Sequence, residues 1–270
     1  MTKPGPAEFK WRQFEPQVIL MAVGWYLRFS LSYRDVEELV RERGLSVDHV
    51  TVWRWVQHFA PEIDRRLRPH LKPTNKSWRV DETYIRVKGK WAYLYRAVDS
   101  TGASIDFLLS DRRDAAAAKR FFQKALRSPN HPTPRVINVD KNPSYPPVVE
   151  ELKGEGRLRR RCQLRPVQYL NNIVEQDHRA IKRRVRASQG FRSFWGAWRT
   201  IQGFEAMHAI RKGQARRIGV GQVERRLEFV AGLFQISRGC SAVPSPYCAC
   251  ALKVATLPSM AKRALHTPRT

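Results

Sequence analysis

Apolar residues recur at helical spacing from the first proline-capped stretch onward. Pro16 suits a first helical turn, and Val18, Ile19, Ala22, Val23 and Tyr26 predict a helix of about three turns. Over Leu31–Phe59 the pattern splits in two. Ser32 followed by Asp35 reads as a helix start, Val36, Leu39 and Val40 as an apolar face, and Gly44 as a stop. Ser46 or Asp48 opens the next helix, with Val52, Trp55, Val56 and Phe59 as its buried stripe and Pro61 as its limit. Two helices around a glycine turn predict a helix-turn-helix within a helical region, residues 16–64, preceded by a loose arm at 1–15. Residues 65–77 lose the periodicity, gain prolines and basic residues, and read as a linker.

Beyond the linker the period changes to that of strands. Trp78–Val87, Trp91–Asp99 and Ser104–Ser110, separated by glycine turns, predict an antiparallel meander. Ala115–Leu126 follows as a helix, Arg135–Val139 as a strand, Pro147–Leu152 as a helix and Leu158–Arg165 as a fifth strand. Leu170–Arg186 is a strong helix on which Asn171, Glu175, Arg179, Lys182 and Arg186 share one face and Leu170, Val174, Ile181 and Val185 pack. Ser193–Lys212, with Trp195, Trp198, Ile201, Phe204 and Met207, predicts a helix laid on the sheet. These elements bound a domain at 78–217 and a C-terminal segment at 218–236. Residues 237–270, proline-containing and without an acidic residue, read as a disordered basic tail.

Asp81 interrupts this pattern, because strand interiors are depleted in aspartate. By itself it fits an edge strand facing water, just as Asp140 fits a turn and Glu175 a solvated pair with Arg179. The element order changes that. Three antiparallel strands, helix, strand, helix, strand, helix is the order of an RNase H-like α/β fold, in which the first and fourth strands are neighbours. Asp81, Asp140 and Glu175 then converge, and two aspartates with a glutamate suit hard divalent cations. Glu82, next to Asp81, is expected on the opposite strand face and is the weaker candidate.

Composition points the same way. Among 270 residues, 50 Lys+Arg against 24 Asp+Glu give a net charge of +26, which makes nucleic acid the first partner to consider. A membrane surface is the lesser alternative, because the basic residues are scattered through folded segments. In the helix-turn-helix, His49, Thr51, Trp53, Arg54 and Gln57 fall off the buried stripe and are the candidates to enter a major groove. The apolar run Val18–Leu27 is too short to span a bilayer and nothing before it resembles a signal peptide, so a cytoplasmic location is expected. Cys162, Cys240, Cys248 and Cys250 lack disulfide-framework or zinc spacing and read as reduced.

The strings WRVDETYIRVKGKW, YLYRAVDS, NVDKNPSY and YLNNIVEQDHRAIKRR resemble the DDE transposases of family-six bacterial insertion sequences. The likeness runs from Phe9 to Ser237 and includes SYRDVEEL and VDHVTVWRWVQ. Thirty-four residues separate Asp140 from Glu175, the interval of that group. Lys182 falls at a basic position those enzymes carry. Val139 and Gly24 depart from the family pattern. The resemblance implies that Asp81, Asp140 and Glu175 hold two Mg²⁺ ions, with Mn²⁺ able to substitute, and that Lys182 and Arg179 meet DNA. It implies binding to double-stranded terminal repeats, 3′-hydroxyl release and joining to target DNA by at least a homodimer, associated with the nucleoid when bound. A catalytically inactive DNA-binding regulator is the rival reading. A nuclease of RNA–DNA hybrids suits the helix-turn-helix less well.

Overall fold

The computed structural model describes residues 9, 13–128, 131–140, 142–167 and 172–236. The tail at 237–270 with its three cysteines, most of the arm at 1–15, and Lys141, Leu170 and Asn171 lie outside them. The helices are α1 (Pro16–Arg28), α2 (Tyr33–Arg41), α3 (His49–Leu67), α4 (Ala115–Leu126), α5 (Tyr145–Gly154), α6 (Asn172–Ala187), α7 (Phe194–Arg211) and α8 (Val223–Leu233). The strands are β1 (Ser77–Val87), β2 (Lys90–Asp99), β3 (Ser104–Ser110), β4 (Val136–Val139) and β5 (Gln163–Pro166).

The helix-turn-helix caps form as their chemistry dictates. Ser32 and Asp35 make a reciprocal capping box on α2. Gly44, at φ +75°, turns the chain, and the Asp48 carboxylate accepts from the N–H groups of Val50 and Thr51 to start α3. Pro61 does not end α3, which runs on through Leu67 and takes in the first residues of the expected linker. The cost of an internal proline is offset because Ala60, Ile63 and Leu67 extend the buried stripe.

The sheet order is β3-β2-β1-β4-β5, with β1 antiparallel to β2 and parallel to β4. This is the mixed five-stranded sheet with flanking helices of the RNase H-like class. The fifth strand is shorter than the expected Leu158–Arg165. Gly156, at φ +71°, ends α5, and Leu158 tucks into the core behind it, so pairing starts only at Gln163.

Alternation along β1 builds two cores. Trp78 and Val80 face α4 and α5, where Phe121, Phe122, Val149 and Leu152 cover them. Ile85 and Val87 face the other way, into a core shared with α1, α3, α6 and α7. No core boundary therefore falls at the expected linker. Helix α7 is buried almost all round from Ala197 to Ile210, so it serves as the common centre of the helix-turn-helix and one sheet face. In its first turn Phe194 packs against this core, whereas Trp195 is 66% exposed rather than packed on the sheet. Helix α8, not anticipated, crosses α1 at Gly24, where a Cβ would lie 3.2 Å from Leu227 Cδ2.

Among the described glycines, the tightest site is Gly203 of α7. A Cβ there would stand 2.6 Å from Ala60 Cβ of α3 and 2.7 Å from the Leu27 methyls of α1. Gly203→Ala is expected to cost about 1–3 kcal/mol by overpacking, read as a fall in melting temperature of several degrees. An unchanged melting temperature would show that these helices slide apart freely.

Candidate active site

Register places the first two carboxylates. β1 and β4 pair in parallel with Trp78 opposite Ile137 and Arg79 opposite Asn138. Extended past the short β4, that register sets Asp81 beside Asp140. Ligand atoms of Asp81, Glu82 and Asp140 all lie within 4.8 Å of one another. Asp140 caps its own loop, accepting from the Asn142 N–H at 3.1 Å.

Glu82 lies on the opposite strand face, yet its carboxylate reaches the cluster from beneath. Its oxygens are already engaged: Oε1 accepts from Arg113 Nε at 2.6 Å and Asn142 Nδ2 at 2.8 Å, and Oε2 accepts from the buried Tyr145 hydroxyl. Spacing alone would make Asp81, Glu82 and Asp140 a ligand triad. The hydrogen bonds make Glu82 instead a brace that ties the Asp140 loop and α5 to β1.

Helix α6 approaches from the other face. His178 Nδ1 stands 3.5 Å from Asp81 Oδ2, and Glu175, one turn earlier on the helix, is exposed. Burial, then the charges of Glu82, Asp140 and Glu175, push the Asp81 carboxyl up to about 7. Asp140 is also raised, by burial and by Glu82. Burial, with Arg96 and Lys182 nearby, drives His178 down to about 2 and keeps the ring neutral. The result is a cluster of carboxylates whose mutual repulsion Arg113 offsets only in part, through its pair with Glu82 and at 3.8 Å from Asp140. Oxygen donors so arranged fit a hard divalent cation. Lys182, two turns beyond Glu175, is exposed with Nζ 6.0 Å from the Tyr84 ring centroid, and Arg179 is exposed beside it.

Without a cation, Asp81 contributes stability that is present below its unfolded value of about 4 and lost as pH rises through about 7. A bound cation must displace that proton at lower pH. Added Mg²⁺ is therefore expected to raise the melting temperature more at pH 8 than at pH 6. Equal shifts at both would place the ion elsewhere.

The seat of α6 is a buried ionic network that the sequence did not announce. Arg96 of β2, paired across from Asp81, is 1% exposed and donates from Nη2 to Glu205 Oε2 of α7 at 2.9 Å and to Asp177 Oδ2 of α6 at 3.3 Å. Asp177 also accepts from Lys212 and from His208 Nε2, the latter at 2.9 Å. Burial alone would raise Asp177, but the His208 hydrogen bond and the charges of Arg96 and Lys212 hold it well below the usual carboxylate range. The signal was present in the stripe of α6, where Asp177 and His178 interrupt the buried run Val174, Ile181, Val185.

The groove-facing candidates divide. Trp53 is 43% exposed and Arg54 is exposed beside it on α3. His49 instead pins α3 to α2, its Nδ1 lying 2.9 Å from Glu37 Oε2, and the Thr51 hydroxyl donates to Asp48. Gln57 is a correction. It is buried and donates to Thr200 Oγ1 of α7 at 2.9 Å, because α7 covers that side of α3. Among the described residues, no helix is long and apolar enough to cross a membrane.

A family model described as a DDE domain matches residues 75–214. The chain is 39% identical over 212 residues to the transposase for insertion sequence-like element IS431mec of Staphylococcus aureus strain Mu50, covering 78% of this chain and 92% of that protein. It is equally similar, over the same shares, to the S. aureus transposase for insertion sequence element IS257 in transposon Tn4003. Among solved structures, the HTLV-2 integrase catalytic core domain in complex with magnesium is 15% identical, with a TM-score of 0.39, over 53% of this chain and 94% of that one. With its carboxylates inside the matched span and its likeness to these enzymes continuing into the helix-turn-helix, the chain belongs to the DDE transposases of family-six bacterial insertion sequences.

Proposed function

We propose that the protein binds its element's terminal inverted repeats as double-stranded DNA, cleaves them to free 3′-hydroxyl ends, and joins those ends to target DNA. The observation that carries this is the meeting of Asp81, in the middle of β1, with Asp140, just past the end of β4, under the α6 face that bears Glu175. Asp81 and Asp140 would hold one Mg²⁺ and Asp81 with Glu175 a second, with Mn²⁺ as a substitute. Such ions, when bound, stabilise negative charge on attacking and leaving oxygens. Lys182 and Arg179 hold the phosphates or bases flanking the cut. Neutral His178 walls one side of Asp81 without adding a charge that would compete with a cation. At least two copies are needed to hold two ends together.

On α3, Trp53 and Arg54 are the side chains left to read the repeat. Arg54→Ala is expected to weaken binding to the terminal sequence about tenfold while changing binding to unrelated DNA by less than about twofold. Equal loss on both would make Arg54 a phosphate contact.

The direct test is strand cleavage and joining on labelled duplexes carrying the element's own ends, with Mg²⁺, Mn²⁺ or EDTA. Metal-dependent joining is expected. Tight end-specific binding with no cleavage in either metal would leave a DNA-binding regulator derived from a transposase.

A further inference from the structure

The face of β1 and β2 that α4 covers does not stop where α4 stops. Past Glu82 and Tyr95 the same face continues as Tyr84 opposite Tyr93 and Arg86 opposite Trp91. Here the face is only partly covered. Tyr84 is 48% exposed and Trp91 57%, while Tyr93 is half-buried. Aromatic side chains left open on a sheet are unfavourable in water unless something docks there.

The rings are fixed in place without being fully covered. Tyr84 meets Trp91 edge to face at 6.2 Å between centroids and Tyr93 at 5.8 Å. The Arg86 guanidinium lies 4.8 Å from the Trp91 centroid and Lys182 Nζ lies 6.0 Å from that of Tyr84. The turn beyond is Lys88-Gly89-Lys90. The acid next along β1 on this face, Glu82, has its oxygens already bonded. The rim is therefore cationic. A second copy of a chain carrying +26 would bring like charge to it, whereas a polyanion is attracted.

We infer that Tyr84, Trp91 and Tyr93, flanked by Arg86 and Lys182, form a stacking platform for unpaired nucleotides of the DNA strand beside the catalytic carboxylates. Tyr84 is three residues along β1 from Asp81, about 10 Å at strand rise and on the opposite strand face, and Lys182 of α6, the helix that bears Glu175, reaches to its ring. Ring faces stack on bases only when those bases have left the duplex stack, so the occupant is a parted strand rather than paired DNA. The inference rests on the strand-cleavage reading, and it supplies what that reading needs, a place to hold the strand once the end is opened.

The experiment uses the full chain in EDTA, so no chemistry intervenes. Fluorescence anisotropy compares a labelled duplex with three unpaired nucleotides at its end and the fully paired duplex of the same sequence. The wild type is expected to prefer the forked duplex. Trp91→Ala and Tyr84→Ala should each lose about tenfold on the fork and less than about twofold on the paired duplex, with Trp91→Phe retaining most of the preference. Equal loss on both duplexes, or no loss on either, overturns the platform. So does a change from dimer to monomer in Trp91→Ala with fork affinity unchanged, which would make the patch a subunit contact. Fork preference in a protein that never joins strands keeps the platform and removes the catalytic reading; joining without fork preference does the reverse.

Discussion

Asp81→Asn is expected to lower strand cleavage and joining by about a thousandfold or more while end-specific binding stays within about twofold. The magnitude follows from position. Asp81 is the carboxylate shared by both proposed ion sites, with Asp140 at the neighbouring strand end and His178 3.5 Å away, so losing its charge weakens both at once. The same substitution should raise the melting temperature at pH 8. Asp81 is held at about 7 by burial and by its acidic neighbours, so keeping it ionised above that pH opposes folding, and an amide of the same shape removes the opposition. Glu82→Gln provides the contrast. Its oxygens brace Arg113, Asn142 and Tyr145, so the expected loss is nearer tenfold and is accompanied by a lower melting temperature. If Glu82→Gln matched Asp81→Asn in activity while leaving stability intact, Glu82 would be a ligand and the brace assignment would fall.

Arg96→Met is expected to destabilise the fold by about 3–5 kcal/mol. Arg96 is 1% exposed and meets two buried carboxylates, Asp177 and Glu205, which methionine would leave without their central cation. Lys212 and His208 retain Asp177, which keeps the loss from growing larger. Denaturant melts of wild type and variant measure the difference. A loss below about 1 kcal/mol would mean the network relaxes around the gap. Acid should act through the same group. Asp177 titrates well below its unfolded value, so its contribution is present above about pH 4 and is lost as pH falls further. His178, held at about 2, adds to acid instability, because the unfolded ring takes up a proton below about pH 6.5 and the folded one does not.

Where the sequence was legible, the signal was local. The capping residues Ser32, Asp35 and Asp48, the period of two in β1 and the misfit of Asp81 are each read within a few positions. The parallel neighbours β1 and β4 followed from element order. What escaped depends on partners far along the chain. Arg96 is 81 positions from Asp177 and 109 from Glu205, and each looks like an ordinary surface charge until the three are brought together. Gln57 lost its place among the candidate groove-facing side chains because Thr200, 143 positions away, lies across it. Pro61 misled for the same reason: its local preference to stop a helix was outweighed by burial of the residues that follow.

The filling of both layers by α7 has a geometric consequence. Gly203 lets α7 touch α3 closely, and Glu205, two residues on, grips Arg96 on the strand beside Asp81. The helix that would read bases and the carboxylates that would cut a phosphate are thus mounted on one rod, and the span between them is a fixed gauge rather than an adjustable tether. Each added base pair between repeat and cut would carry the phosphate about 3.4 Å along and about a tenth of a turn around. A tool with a fixed gauge counts base pairs as well as reading them.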